Sequence, residues 1–296
     1  MLSRIFLWVQ AHKTIKRFFE NSLALSLKYF YYRRIGINAS LQVVCLNGDR
    51  GSISVDELNK LIVASRERVV KSYSCKDREF VTIFEDVVPV NELMKTNYMA
   101  IKLGWRYNRQ GGYWVFNNVK LKHVSVTAIE VFNMNQYERL KHVTYRDVVD
   151  IGAANGDSAI YFALRGARRV VAIEYDHELF MEMLENIRLN NLEERIIPIN
   201  HYATSGTLKI ILKIILNKYN INDGILKMDC EGCEYEVLLK EETEVLRKFK
   251  EMLIEYHGSP KLLENKLLEA GFTVTVEKPW TYMDSKSVGF IHAYLK

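Results

Sequence analysis

Thirteen residues, "LKMDCEGCEYEVL" (226–238), hold one Asp, three Glu and two Cys directly behind an apolar run that ends in Asp229. Carboxylates at a strand end can hold a metal, accept hydroxyl protons or bind a cationic ligand, and a Cys-x-x-Cys pair can be redox-active or supply half of a zinc site. A structural zinc takes four ligands, and no second Cys pair or spaced His pair accompanies Cys230 and Cys233. The expectation is therefore two small buried thiols and no metal. Glu234 and Glu236 suit the positive end of a following helix and read as its solvated start. Asp229 and Glu231 remain for chemistry. Glu255 and His257, in "IEYHG", lie two apart on one face of a further strand. An imidazole there is a candidate general base at neutral pH, with Glu231 as the second candidate catalytic group.

A second constellation lies upstream in "VVDIGAANGDSAIYF". Gly152 and Gly156 permit a tight strand-to-helix turn and a close ligand approach, Asp150 ends the strand, and Asp157-Ser158 can cap the helix. Glu174 closes the next strand about twenty residues on, where an acidic side chain takes ribose hydroxyls. The loop has neither the third Gly of a dinucleotide fingerprint nor the Gly-Lys-Ser/Thr of a Walker loop. An uncharged loop beside a carboxylate suits a ligand with an amino-acid end and a sulfonium better than a pyrophosphate.

The elements that must position these residues follow from periodicity. From Asp147 onward strand-like and helix-like segments alternate without a break, which predicts βαβ units in an α/β, doubly wound and mostly parallel Rossmann-like sheet over 147–296. Residues 37–146 read as a smaller mixed subdomain on the acceptor side or at an oligomer contact, with a hairpin in "GWRYNRQGGYWVFNNVKL". Its Trp105, Tyr107, Tyr113 and Trp114 have the chemistry to stack on a sugar, although such residues more often belong to a core. Residues 1–36 read as a basic amphipathic helical segment, with Lys13, Lys16, Arg17, Glu20 and Lys28 on one side and Ile15, Phe18, Phe19, Leu25 and Tyr29 on the other. Packing within the protein or an oligomer is the expectation there, and peripheral contact with an anionic membrane the alternative.

Length and charge set the outer bounds. A chain of 296 residues that is 48% hydrophobic can bury a sizeable core. Four cysteines and no secretory pattern point to a reducing, cytoplasmic setting. The net charge of +5 is concentrated in residues 1–36, which carry seven basic side chains and one acid. The rest is close to neutral, which argues against a nucleic-acid-binding body.

Taken together, "DIGAANGDSAIYFALRGARRVVAIEYD", "LKMDCEGCEYEVL" and "IEYHG" resemble an FkbM-type methyltransferase, a family of class I S-adenosylmethionine-dependent enzymes. The likeness spans about residues 140 to 270, and Gly104–Tyr107 and Tyr113–Phe116 resemble the front part of the same family. Asp150, Gly152, Gly156, Glu174, Asp229, Glu231, Gly232 and Glu234 match its pattern, and Ala154 and the two cysteines depart from it. The resemblance implies S-adenosylmethionine held by Asp150, Gly152, Ala153, Ala154, Asn155, Gly156, Glu174, Tyr175, His201 and Asp229, with His201 beside the adenine. It implies O-methylation of a sugar, glycolipid or other small hydroxylated acceptor, with no metal. Two other readings compete: an RNA methyltransferase that uses the basic N-terminal segment, and a non-catalytic Rossmann-like module.

Overall fold

The computed structural model describes residues 2–201, 211–281 and 287–296, and the chain divides into two compact units, Met1–Ser125 and Val126–Lys296. The division falls at 125/126, where the sequence pattern suggests 146/147. Residues 1–36 belong to the first unit because the apolar side chains Ile15, Phe18, Phe19, Leu25 and Tyr29 are all buried.

In the first unit, α1 (Leu2–Lys16) and α2 (Ser22–Ile35) form two helices where one was expected, and α3 (Val55–Arg66) packs against both. The chain breaks between α1 and α2 because Phe19 leaves the helix to bridge to Cys45 and the Asn21 side chain binds Val44 and Gln42 backbone. β1 (Ser40–Val44) and β2 (Arg50–Ser54) form a hairpin, and a capping box of Ser54 and Glu57 starts α3. β3 (Val70–Ser74), β4 (Glu79–Thr82) and β5 (Val87–Pro89) make a three-stranded sheet, which is followed by α4 (Lys95–Lys102). β6 (Arg106–Asn108), β7 (Tyr113–Phe116) and β8 (Val119–Leu121) form the expected antiparallel meander. Trp105 and Trp114 are fully buried and Tyr107 nearly so, so these rings build the core and offer no face to a sugar.

The second unit opens with α5 (Val126–Phe132). It continues β9 (Asp147–Ile151), α6 (Asp157–Leu164), β10 (Arg169–Glu174), α7 (His177–Leu189), β11 (Ile196–Asn200), α8 (Ile211–Lys218) and β12 (Gly224–Met228). After β12 come α9 (Cys233–Lys240), α10 (Thr243–Leu246), β13 (Phe249–His257), α11 (Lys261–Glu269), β14 (Thr273–Val276), β15 (Trp280–Thr281) and β16 (Ser287–Tyr294). The strand order is β11-β10-β9-β12-β13-β16-β14, parallel from β11 to β13 and antiparallel where β16 inserts between β13 and β14. Strands β9 and β12 are buried along their whole length, which is why they read as unbroken apolar runs. Alternate residues of adjacent strands (Val149 and Ile151, Val171 and Ile173, Leu226 and Met228, Met252 and Ile254) share one core with Leu216, Val237, Leu238, Leu263 and Leu267 of α8, α9 and α11. The opposite parity faces α6 and its neighbours, so the sheet is doubly wound and Rossmann-like, as expected. Strand order reverses between β9 and β12, the place where such sheets bind ligands at their carboxyl ends.

The expectation of free thiols fails. Cys45 is bonded to Cys75 and Cys230 to Cys233, with Cα atoms 5.8 and 5.4 Å apart, so none of the four is a free thiol. No described helix is long and apolar enough to cross a membrane.

Candidate functional site

The carboxyl ends of β9, β10 and β12 enclose a cleft of about 220 Å³. Six of the ten residues expected to bind a cofactor line it: Gly152, Ala154, Glu174, Tyr175, His201 and Asp229. Asp150, Ala153, Asn155 and Gly156 stand behind the lining and are buried or built into the turn. Asp150 receives the Ser158 hydroxyl at 2.6 Å and faces Lys227 Nζ at 3.1 Å, while Lys227 donates to the Gly152 carbonyl at 2.6 Å. Burial alone would lower the Lys227 ammonium. The surrounding Asp150, Tyr137 and Asp229 outweigh that and hold it well above its ordinary value. A buried lysine thus ties β12 to the loop after β9, and it is the only lysine or arginine among the described residues that line the cleft.

Gly152 is fixed by backbone crowding. A Cβ on it would lie 1.7 Å from the Asp229 carbonyl oxygen, and its φ is +75°. The residue is therefore required by the contact between loop and strand rather than by ligand volume. Gly156 is the N-cap of α6, and Asp157, expected as a cap with Ser158, is instead the first helical residue, accepting the Ser158 N–H at 2.6 Å and the Thr127 hydroxyl at 2.7 Å.

Glu174 does two jobs. Its two carboxylate oxygens accept the Ala154 and Asp176 N–H groups, each at 2.8 Å, which clamps the loop across the cleft. Each oxygen keeps a lone pair for a hydroxyl entering from the cleft it lines.

Glu234 contradicts its reading as a solvated helix residue. It is fully buried, with Oε2 accepting Gly232 N–H at 2.9 Å and Oε1 accepting His257 N–H at 2.8 Å, and His257 Nδ1 lies 3.1 Å from Oε1. The connection from β12 to α9 must turn through Glu231 (φ +57°) and Gly232 (φ +115°), and this carboxylate holds that turn against β13. Glu236 does meet solvent, 3.8 Å from Lys240. With Oε1 as the acceptor, Nδ1 is assigned as the donor to Glu234 and Nε2 lies 3.4 Å from Glu231. The Glu234 hydrogen bond raises the imidazole above its ordinary value against the opposing effect of burial. Glu231 itself is 84% exposed.

Several site residues lie outside the sequence expectations. Thr127 and Tyr137 line the cleft, and Glu130 stands close enough to feel Asp229 and Asp157. All three come from a stretch that reads as part of another subdomain. Asp229, Glu255 and His257 each place one ligand-type atom within 4.8 Å of the others, a spacing that would admit a cation. Burial pushes the Glu255 carboxyl up to about 8, and the Asp229 carboxylate adds to the push. Burial likewise raises Glu130 and Asp157. The rim thus gathers carboxyl groups whose pKa burial pushes upward.

No family model matches the chain. Among solved structures, it aligns with M. capricolum TrmK in complex with S-adenosyl-homocysteine at 18% identity over 55% of this chain and 67% of that one, with a TM-score of 0.42. It aligns with the M. jannaschii tRNA m1G37 methyltransferase at 15% identity over 62% and 56% of the two chains, TM-score 0.44. M. jannaschii TYW2 in complex with AdoMet aligns at 20% identity over 64% and 84%, TM-score 0.41. By its own strand order and loop, the second unit is a Rossmann-like doubly wound sheet.

Proposed function

We propose that the chain is an S-adenosylmethionine-dependent methyltransferase of FkbM type that methylates a hydroxyl on a small acceptor such as a sugar or glycolipid. The observation that carries this reading is the cleft at the strand-order reversal, closed by the buried Glu174 clamp and lined by carboxylates, with the one lysine among its described lining residues already committed to Asp150. Such a lining favours ribose hydroxyls and a positive charge and disfavours phosphates.

S-Adenosylmethionine, when bound, supplies a methyl group already activated by its sulfonium, and the chain's residues have to align and desolvate the acceptor. Glu174 would orient the ribose and Asp229 would face the positive end. His257 Nε2, turned toward Glu231 by the Nδ1 contact with Glu234, would accept the proton that the acceptor hydroxyl loses on methylation. Transfer of labelled methyl into hydroxylated acceptors from a host extract, read by mass spectrometry, tests the whole reading. Label confined to RNA, or no label at all, overturns it.

Glu174→Ala should weaken S-adenosylmethionine binding by about 1.5–3 kcal/mol, the range for hydrogen bonds to a charged group. It should also lower stability by about 1–2 kcal/mol, since the Ala154 and Asp176 N–H groups lose their acceptor. Calorimetric affinity and a melt separate the two effects, and unchanged affinity removes Glu174 from the ribose.

Ligand binding should be linked to proton release. The Glu255 carboxyl, with its pKa near about 8, is mostly protonated at neutral pH, and a cation arriving beside it and Asp229 favours the ionised form. Titration calorimetry in buffers of different ionisation heat should therefore show net release of a proton fraction on S-adenosylmethionine binding, less for the uncharged-sulfur product, and little of it in Glu255→Gln. Heats that do not vary with the buffer would place the cation elsewhere.

A further inference from the structure

A cavity of the first unit is remote in kind from this chemistry. It measures about 650 Å³ and sits among α1, α2 and α3, with Leu7, Phe30, Ile62 and Val63 as its apolar wall and Arg34 and Arg66 at its rim. Arg33 also reaches it but is held by Tyr29 and Asn59. No acidic side chain lines it. Arg34 and Arg66 are both exposed.

Arg34 belongs to a second feature as well. The apolar face of α2 foreseen from the sequence is used up inside the unit, with Leu25 and Tyr29 each 1% exposed. The helix nevertheless carries another apolar face: Leu23, Leu27, Tyr31 and Ile35, at intervals of four residues, are 59, 58, 60 and 47% exposed. Lys28 and Arg34 lie beside them, and α2 contains no acid. Phe6 and Leu7 on α1 are 62 and 50% exposed. A helix that is apolar on two sides needs a second partner.

We propose that this face docks on an anionic lipid bilayer, with the α2 stripe entering the headgroup–acyl boundary and the arginine-rimmed cavity taking one lipid, its phosphate against Arg34 and Arg66 and its hydrocarbon along Leu7, Phe30, Ile62 and Val63. Charge complementarity chooses the occupant. A bilayer with acidic lipids offers apolar depth and negative charge together, which is the chemistry of this face. A second copy meeting it about a twofold axis would set Lys28 and Arg34 against their own equivalents. The inference stands apart from the activity proposed for the second unit.

The test is co-sedimentation of the full chain with phosphatidylcholine vesicles, with and without about one third phosphatidylglycerol, at low and high salt. The expected result is binding only to the anionic vesicles and its loss as salt rises. Arg34→Gln with Arg66→Gln should lower the partition coefficient about 25-fold, at about fivefold per basic residue. Leu27→Glu should lower it at least about tenfold while leaving the melting temperature unchanged, because the side chain is exposed. Failure to bind, equal binding to neutral vesicles, or binding indifferent to Leu27→Glu overturns the proposal. So does concentration-dependent self-association without vesicle binding that Leu27→Glu abolishes, which would give the face to a second copy.

Discussion

Gly152→Ala is expected to leave little folded protein. A methyl group at this position would sit 1.7 Å from the Asp229 carbonyl oxygen and 2.7 Å from its carbon, and neither partner has room to retreat. The Gly152 N–H is bound to the Ile173 carbonyl at 3.0 Å, its own carbonyl to Lys227 at 2.6 Å, and the Asp229 N–H to the Ile151 carbonyl at 3.0 Å. Three adjacent strands would have to part, and the φ of +75° adds strain for any side chain. The cost should exceed about 4 kcal/mol, a large share of the ~5–15 kcal/mol that holds a domain together. If the variant accumulates, its melting temperature should fall by about 10 °C or more. Gly232→Ala is the control. Its φ is +115°, but nothing lies within 4 Å of the added carbon, so only backbone strain of about 1–3 kcal/mol applies. A Gly152→Ala protein that melts within a few degrees of the parent would show that the loop does not press on β12 as described.

The second large effect is expected at the Glu234–His257 pair. His257→Ala should reduce turnover by about a hundredfold or more, the contribution of a positioned general base. In the proposed mechanism Glu234 acts through the imidazole, and its signature would be a pH profile. Pairing with Glu234 raises His257, so the stabilisation from that pair is complete below the ordinary imidazole value and is lost as pH rises through the raised one. The base works only in the neutral form, so activity should appear over that same rise. Glu234→Gln removes the negative charge, and the rise should move to lower pH while the plateau falls about tenfold because the ring is less firmly oriented. Glu234→Ala should in addition cost about 2–4 kcal/mol of stability, since two buried backbone N–H groups are left unpaired. A profile unmoved in Glu234→Gln, or turnover retained in His257→Ala, would mean that another group takes the proton.

The sequence by itself determined the parts of this protein that depend on neighbours in the chain. Strand and helix periodicity after Asp147 is local, and it fixed the doubly wound sheet because parallel strands buried on both faces must be apolar throughout. The turn at Gly152–Gly156, the carboxylate that closes β10 and the pair Glu255 and His257 on one face of β13 are likewise matters of short spacing. Tertiary structure alone decided what those residues meet. Glu234 looks like any acid at a helix start until β13 brings His257 over it and removes the water. Lys227 reads as one polar residue in an apolar strand, and only the register of β12 on β9, which sets it opposite Asp150, gives it a counter-ion. Thr127, Glu130 and Tyr137 reach the site because α5 packs on α6, a contact with no mark in their own segment. The cysteine partners and the second apolar face of α2 follow the same rule: periodicity shows that a helix has apolar sides, but only the packing of its neighbours shows which side is left for something else.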